Sequence, residues 1–348
     1  MPALDLAVYW NLLDIFICVT QSVGNLFGFN YLEIFRDCTP KFIDRLVFSV
    51  ILKRNFHNIN IDFNSLDKAK LNPDFAYYLA GLIEGDGTIL VPKTERSPKG
   101  KLNYPSVQIS FDLRDLALAL IIQKTLGFGS VSRTKGVNAY RLTINNYEGL
   151  IKLVKLLNGK FKTIKINDFH LLIDFLNRRF PGLNLEKKPL DTTSLANNPW
   201  LSGFIDSDGH FFVRLNKTSV SCGFELVQAC ISKKGYNKKE IMVLLAEFLQ
   251  TELKERSKAY SNSKNQYVVF ITKLESNKIL HSYLSNYPLF SSKFLNSQDC
   301  FRVMKLIEEK KHKTEEGKNI INEIKNNMND RRTEFVWDHL QKFYSMYK

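Results

Sequence analysis

A chain of 348 residues with 49 Lys and Arg against 35 Asp and Glu carries a formal charge of +14 and a sequence pI near 9.4. At 44% hydrophobic and 24% charged it is no disordered tail, and it is long enough for two medium domains with cores of their own. Its most apolar early stretch, Leu4 to Thr20, is broken by Asp5, Asn11 and Asp14, which excludes a membrane span of about 18 uninterrupted apolar residues. The five cysteines (Cys18, Cys38, Cys222, Cys230 and Cys300) form no C-x-x-C pair and have no His at zinc-ligand spacing, so neither a disulfide framework nor a zinc site is indicated. The surplus of positive charge points instead to a polyanionic partner, nucleic acid first.

Residues 1–71 hold Trp10, Phe16, Phe27, Phe29, Phe35 and Phe42, which suggest a packed extension. Their beginning lacks both the basic start and clean apolar core of a secretory signal and the Arg-rich, acid-poor helix of an imported organellar precursor.

Two segments then repeat. Asn72-Pro-Asp-Phe-Ala-Tyr-Tyr-Leu-Ala-Gly-Leu-Ile-Glu-Gly-Asp-Gly87 and Asn198-Pro-Trp-Leu-Ser-Gly-Phe-Ile-Asp-Ser-Asp-Gly209 both begin Asn-Pro and end Asp-Gly. Asn caps the first free N–H groups of a helix, Pro suits its first position, and Gly stops it. Asp86 stands 14 positions after Asn72 and Asp208 stands 10 after Asn198. That difference is close to one turn, so the acid keeps its face in both copies.

After the first motif, period-two alternation predicts strands at Thr88–Thr94 and Tyr104–Phe111, a helix at Leu113–Leu126, and strands at Gly129–Arg133 and Ala139–Ile144. Helices follow at Tyr147–Leu157 and Asn167–Asn177. Phe180–Asn198, with Pro181, Gly182 and Pro189, reads as a linker. The second copy repeats the order, with strands at His210–Asn216 and Cys222–Gln228, a helix at Lys238–Gln250, strands at Leu253–Tyr260 and Gln266–Thr272, and helices at Ser276–Leu284 and Asp299–Lys311. Glu308–Arg332 is highly charged and reads as a solvated helix or tether, followed by a short amphipathic piece, Phe335–Tyr347. The expected architecture is α+β, a tandem pseudo-twofold repeat of αββαββα units. Its boundaries are an extension at 1–71, repeats at 72–179 and 198–311, a linker at 180–197 and a charged extension at 312–348.

Gly81 and Gly85 lie four apart on the first motif helix, as do Gly203 and Ser207 on the second. Two stripes without bulk let helix backbones approach closely, so the ends bearing Asp86 and Asp208 converge. Two carboxylates at two helix C-termini repel each other and the macrodipoles, a conflict that divalent cations resolve. Hard oxygen donors without Cys or His favour Mg²⁺ completed by phosphate oxygens, the arrangement of two-metal phosphodiester hydrolysis.

Leu79-Ala-Gly-Leu-Ile-Glu-Gly-Asp-Gly87 and Leu201-Ser-Gly-Phe-Ile-Asp-Ser-Asp-Gly209 resemble the paired signature motifs of single-chain LAGLIDADG homing endonucleases of the type encoded in organellar group I introns. The resemblance covers about residues 72–311 and extends to Gly100-Lys-Leu-Asn-Tyr-Pro, Gly136–Gly149, Ser276–Leu280 and Tyr287–Lys293. It implies a pseudo-twofold monomer whose motif helices form the domain interface and whose two sheets form a saddle over the DNA major groove. It also implies Mg²⁺-dependent cutting of both strands of a long, imperfectly symmetric site, leaving short 3′ overhangs. Asp86 and Asp208 would carry the metal, helped by the carbonyls of Gly85 and Ser207, with Lys165, Lys293 and Gln228 beside the metals. Glu84 stands where the name has Asp, and Ser202 and Ser207 where it has Ala, positions the family varies. Glu84 and Asp206 either link the helix pair or simply face solvent.

The strand face opposite the core would read bases through Thr94, Arg96, Gln108, Arg141, Arg214, Asn216 and Glu225. Arg96 with Lys99 and Lys101 in the hairpin loop also suits phosphate contact. His210, beside the second motif, reads as packing or DNA contact rather than a ligand. Residues 1–71, outside the resemblance, are then either that packed extension or translated upstream exon. Richness in Lys, Asn, Ile, Phe and Tyr is what AT-rich codons give, so organellar coding, mitochondrial before chloroplast, is expected. The double-stranded DNA target is the expected partner. A maturase that binds its own intron RNA is the alternative, and a DNA-binding regulator on the same fold would not need the two acids.

Overall fold

The structure, a computed structural model, describes residues 72–345 apart from 95, 233 and 258–264, so the expectations for residues 1–71 lie outside the described residues. The first repeat comprises α1 (Pro73–Asp86), β1 (Gly87–Leu90), β2 (Ser106–Asp112), α2 (Leu116–Leu126), β3 (Ser130–Arg133), β4 (Ala139–Ile144), α3 (Tyr147–Leu157) and α4 (Ile166–Arg179). The second comprises α5 (Trp200–Asp208), β5 (Gly209–Leu215), β6 (Val220–Ala229), α6 (Lys239–Phe248), β7 (Leu253–Arg256), β8 (Gln266–Ile271), α7 (Leu274–Asn286) and α8 (Lys293–Glu308). Beyond it run α9 (Glu315–Asn326) and α10 (Gln341–Ser345). Each repeat holds a four-stranded antiparallel sheet, in the matching orders β1-β2-β4-β3 and β5-β6-β8-β7. The expected α+β tandem repeat is the observed architecture.

Several boundaries move. β1 stops at Leu90 rather than Thr94, because Pro92 cannot donate to a ladder and the chain enters a hairpin loop in which Thr94 Oγ1 donates to the Arg96 carbonyl at 2.9 Å. β7 ends at Arg256, and residues 258–260 of the expected strand lie outside the described residues. α8 begins at Lys293 rather than Asp299, because Asn296 and Ser297 are polar yet buried and so interrupt the apolar spacing. Gly87 and Gly209 end their helices in extended rather than left-handed backbone, at φ −82° and −75°. They are needed for space: a Cβ at Gly87 would lie 2.5 Å from the Ile83 carbonyl oxygen.

The motif helices begin as their sequences direct. The Asn72 side chain accepts from the Asp74 N–H at 2.9 Å ahead of Pro73, and the Asn198 side chain from the Trp200 N–H at 3.1 Å. They then pack backbone to backbone. A Cβ on Gly81 would sit 1.9 Å from the Trp200 carbonyl oxygen, and one on Gly203 would sit 1.9 Å from that of Tyr78. The two approaches are reciprocal, as a pseudo-twofold axis requires.

Two cross-links lock this crossing. Glu84 on α1 accepts from Trp200 Nε1 on α5 at 2.5 Å and from the N–H groups of Lys162 at 3.0 Å and Thr163 at 2.5 Å. Asp206 on α5 accepts from Tyr78 Oη on α1 at 2.7 Å and from the N–H groups of Phe290 at 2.8 Å and Ser291 at 3.2 Å. Both acids are buried, so neither faces solvent. Burial outweighs the hydrogen bonds and pushes the Glu84 carboxyl up to about 7; it raises Asp206 as well.

The connector between the repeats is fastened to the first. Asn177 exchanges hydrogen bonds with Leu185 at 2.9 Å in both directions, the Asp191 N–H donates to the Phe161 carbonyl at 2.8 Å, and Lys162 pairs with Asp191 at 2.8 Å inside the protein. The charged C-terminal stretch is also not a solvated tether. α9 turns Ile321 and Ile324 inward, Met328 follows, and Phe343 packs edge-on against Phe75, Tyr78 and Phe290. Its charges occupy the opposite helix face, which hid the buried stripe behind the composition.

Replacing Gly81 with Ala drives a methyl group into the partner helix backbone and is expected to cost about 3 kcal/mol or more in chemical denaturation. Gly182→Ala, with nothing within 4 Å of the new Cβ, is expected to be neutral or slightly stabilising. Between pH about 4.5 and about 7 the folded chain keeps a proton on Glu84 that the unfolded chain has released, so stability falls as pH rises through that window. Melting temperatures of Glu84→Gln measured against pH should show a shallower decline than those of the unmodified protein. The slope that remains comes from the other carboxyls that burial raises, Asp206, Asp115, Asp86 and Asp299.

Candidate active site

The crossing of α1 and α5 brings Asp86, Gly85, Asp208 and Ser207 together. A Cβ on Gly85 would lie 1.7 Å from Ser207 Oγ and 2.7 Å from Asp208 Oδ2, so this glycine makes room for the serine and sets the Asp208 carboxylate against the opposite helix end. Ser207 Oγ is turned back to donate to the Phe204 carbonyl at 2.7 Å. Asp86 keeps solvent access. The protein crowded around it and the negative charge of Asp208 nevertheless raise its pKa to about 6.

Each helix end is met by an ammonium group from its own repeat. Lys165, just before α4, donates from Nζ to the carbonyls of Ile83 at 2.8 Å, Gly85 at 3.3 Å and Gly87 at 2.8 Å. Lys293, at the start of α8, donates to those of Ile205 at 3.4 Å and Ser207 at 2.6 Å. Carbonyls left free at a helix C-terminus carry its negative dipole end, and a cation there is favourable. Burial lowers both lysines, Lys165 to about 8.

The donor set fits a hard divalent cation. It offers two carboxylates and two backbone carbonyls, and among the described residues no group of three or more His, Cys, Asp or Glu gathers anywhere to form a dedicated cage. A site poor in protein ligands suits an ion that keeps its waters and takes phosphate oxygens. Burial first and the charge of Asp208 second hold the Asp86 carboxyl up, and a cation between the two acids would offset that repulsion.

The remaining expected residues fall into three groups. Gln108 and Arg141 share the open face of the first sheet, because Gln108 pairs with Thr143 and Ser110 with Arg141, while Val107, Ile109 and Leu142 face the core. Arg214 and Glu225 share the open face of the second sheet. Arg214 lies 4.5 Å from the Phe212 ring centre and 5.3 Å from that of Phe270, the two rings being stacked, and Glu225 pairs with Arg256 at 3.0 Å. Thr94, Arg96 and Asn216 sit in hairpin loops, where Arg96 donates to the Gly100 carbonyl at 2.8 Å and Asn216 Nδ2 to Ser219 Oγ at 3.4 Å.

Gln228 sits apart from these, on the core face of β6 with Phe224 and Leu226, where its side-chain oxygen accepts from Lys238 Nζ. His210 is exposed on the open face of β5 opposite Glu225. Sequence reasoning passed over Tyr78 and Trp200, the donors to the two buried acids, although both occupy one place in the repeat. It also passed over Asp115 and Lys238, which line the two cavities flanking the helix ends.

Among the described residues no helix is long and apolar enough to cross a membrane, and Cys222, Cys230 and Cys300 are free thiols. The sequence pattern that defines LAGLIDADG endonucleases matches residues 79–176 and 201–304. The chain is 29% identical over 325 residues to the intron-encoded DNA endonuclease aI3 of Saccharomyces cerevisiae, covering 83% of this chain and 78% of that protein. It is 30% identical over 250 residues to an uncharacterised cox1 intron-2 protein of Schizosaccharomyces pombe, covering 70% and 69%. Its fold is that of the LAGLIDADG homing endonuclease I-GzeII solved with its DNA target, at TM-score 0.60 and 20% identity over 76% of this chain and 100% of that one. With both motifs in place and these relatives matched along most of its length, the chain belongs to the LAGLIDADG endonuclease family.

Proposed function

We propose that this protein is an intron-encoded, site-specific endonuclease that hydrolyses both strands of a long, imperfectly symmetric DNA target as a monomer. The observation that carries this reading is the meeting of Asp86 and Asp208 at the ends of two abutting helices, each end held by a lysine. Repeats at 72–179 and 198–311, joined by 180–197, each contribute one acid and one lysine. Expression from a mitochondrial intron agrees with the composition and with the fungal, intron-encoded origin of the relatives.

Asp86 and Asp208, with the carbonyls of Gly85 and Ser207, would hold Mg²⁺. When bound, the ion supplies a water of lowered pKa and neutralises charge at the attacking and leaving oxygens. Lys165 and Lys293, anchored on the helix-end carbonyls, keep positive charge at the place where a phosphate gathers negative charge. The open sheet faces supply base contacts, from Gln108 and Arg141 on one repeat and Arg214 and Glu225 on the other. Arg214 is the best prepared of these, because the stacked Phe212 and Phe270 rings hold its guanidinium in place before DNA arrives. The loop residues Thr94, Arg96 and Asn216 suit backbone contact, and Gln228 acts through Lys238.

A second reading draws on one relative. Over 139 residues, 40% of this chain and 19% of that protein, the sequence is 35% identical to the intron-encoded RNA maturase bI4 of Saccharomyces cerevisiae. Binding to its own intron RNA would use the same basic surface without the acids. Splicing of that intron rescued in trans by the Asp86→Asn protein would establish this activity, and no rescue by either form would remove it.

The deciding experiment incubates a plasmid carrying the joined exons of the host gene with the full chain and Mg²⁺. A double-strand cut is expected, lost with EDTA and reduced at least about a thousandfold in Asp86→Asn or Asp208→Asn, while binding to the junction survives. Normal cutting by either variant would overturn the assignment.

A further inference from the structure

Around the interface the repeats match position for position, with Tyr78 answering Trp200, Glu84 answering Asp206 and Lys165 answering Lys293. One pair breaks the match in charge. Asp115 stands immediately before α2 and Lys238 immediately before α6, in nearly the same backbone conformation, φ −93° and ψ 20° against φ −103° and ψ 11°.

Each reaches across to the other repeat. Asp115 accepts from the Ser292 N–H at 2.6 Å, which sets it beside Lys293 in a cavity of about 290 Å³ that also holds Asp86. Lys238 lines a cavity of about 260 Å³ together with Lys165, Gly87 and Thr163, and it feels the charge of Asp208.

The two cavities therefore differ in their free cations. Lys162 and Lys234 in the second are already paired, with Asp191 at 2.8 Å and Asp168 at 2.7 Å. Lys238 donates to the neutral Gln228 side chain and makes no ion pair among the described residues, so its positive charge is held in place but not cancelled. The cavity of Lys165 and Lys238, whose wall also carries Glu84 and Glu240, thus holds two ammonium groups without an ion-pair partner among the described residues. The cavity of Asp86 holds one, Lys293, beside the Asp115 carboxylate.

We propose that Lys238 is a phosphate-contacting residue serving one DNA strand only, and that Asp115 at the matching place denies that contact to the other, so the two strands are held and cut unequally. The inference rests on the endonuclease reading. It also gives Gln228 a role as the residue that positions Lys238. Losing an ammonium-to-phosphate hydrogen bond weakens affinity on the order of tenfold or more. The opposing carboxylate at Asp115 repels a phosphate instead.

The test uses the full chain and exon-junction duplexes in EDTA, each duplex carrying one neutral methylphosphonate at the scissile position of one strand. With the unmodified protein, the substitution should weaken binding about tenfold on one strand and about twofold or less on the other. Lys238→Gln should erase the difference and Lys238→Arg should preserve it, whereas a purely structural lysine would change both duplexes alike. Asp115→Asn keeps the acceptor for Ser292 and should narrow the gap by making the weaker strand more sensitive. When Mg²⁺ is added, a nicked intermediate should accumulate, cut in the more sensitive strand. Equal losses for the two strands, or a difference that survives Lys238→Gln, would overturn the proposal. No binding to any junction duplex would overturn the endonuclease reading itself, and this inference with it.

Discussion

The architecture depends on one contact, the backbone-to-backbone crossing of α1 and α5 at Gly81 and Gly203. Neither helix can carry a side chain there, because each carbonyl at Trp200 and Tyr78 occupies the space a methyl group would need. Close approach by itself is weakly directional, since smooth surfaces slide. The direction comes from Glu84 and Asp206, which are buried and each accept from an aromatic donor on the opposite helix and from backbone N–H groups of their own repeat. Removing a carboxylate from water is costly unless its oxygens are satisfied, so these links are stable only in one register of the crossing.

That register places the acids, and the lysines follow from it. Lys162, Thr163 and Lys165 lie on one short stretch, so the segment whose N–H groups bind Glu84 also delivers an ammonium group to the end of α1. Phe290, Ser291 and Lys293 do the same for Asp206 and α5. Interface and site are thus one hydrogen-bonded unit. The C-terminal segment reinforces it: Arg114 donates to the Asn329 carbonyl at 3.3 Å, and Asn329 Nδ2 donates to the Phe211 carbonyl at 3.0 Å, tying the first repeat to the second.

Duplication makes the two halves alike, yet an imperfectly symmetric DNA target asks for unlike ones. The differences lie in side chains that leave the shared backbone undisturbed. The first sheet presents Gln108 and Arg141 on its open face, and the second presents a stacked aromatic pair under Arg214. At the cavities, Asp115 and Lys238 exchange charge at one backbone position.

The fold class, the repeat, the succession of helices and strands and the convergence of Asp86 and Asp208 were legible in the sequence, because each follows from local pattern: caps, periods of two and 3.6, and a motif written twice. α3 and β4 were readable to the residue for the same reason, being amphipathic elements with clear ends. What only the tertiary structure decided concerns residues whose meaning depends on partners far along the chain. Glu84 could have been a solvated acid until Trp200 and the 162–163 backbone enclosed it, and Gln228 belongs to Lys238 on the core side of its sheet. The charged C-terminal stretch hid a buried stripe at Ile321, Ile324 and Met328, since composition averages over faces that folding separates. Asp115 and Lys238 left no trace, because opposite charges at equivalent positions look unrelated until the backbone superposes them.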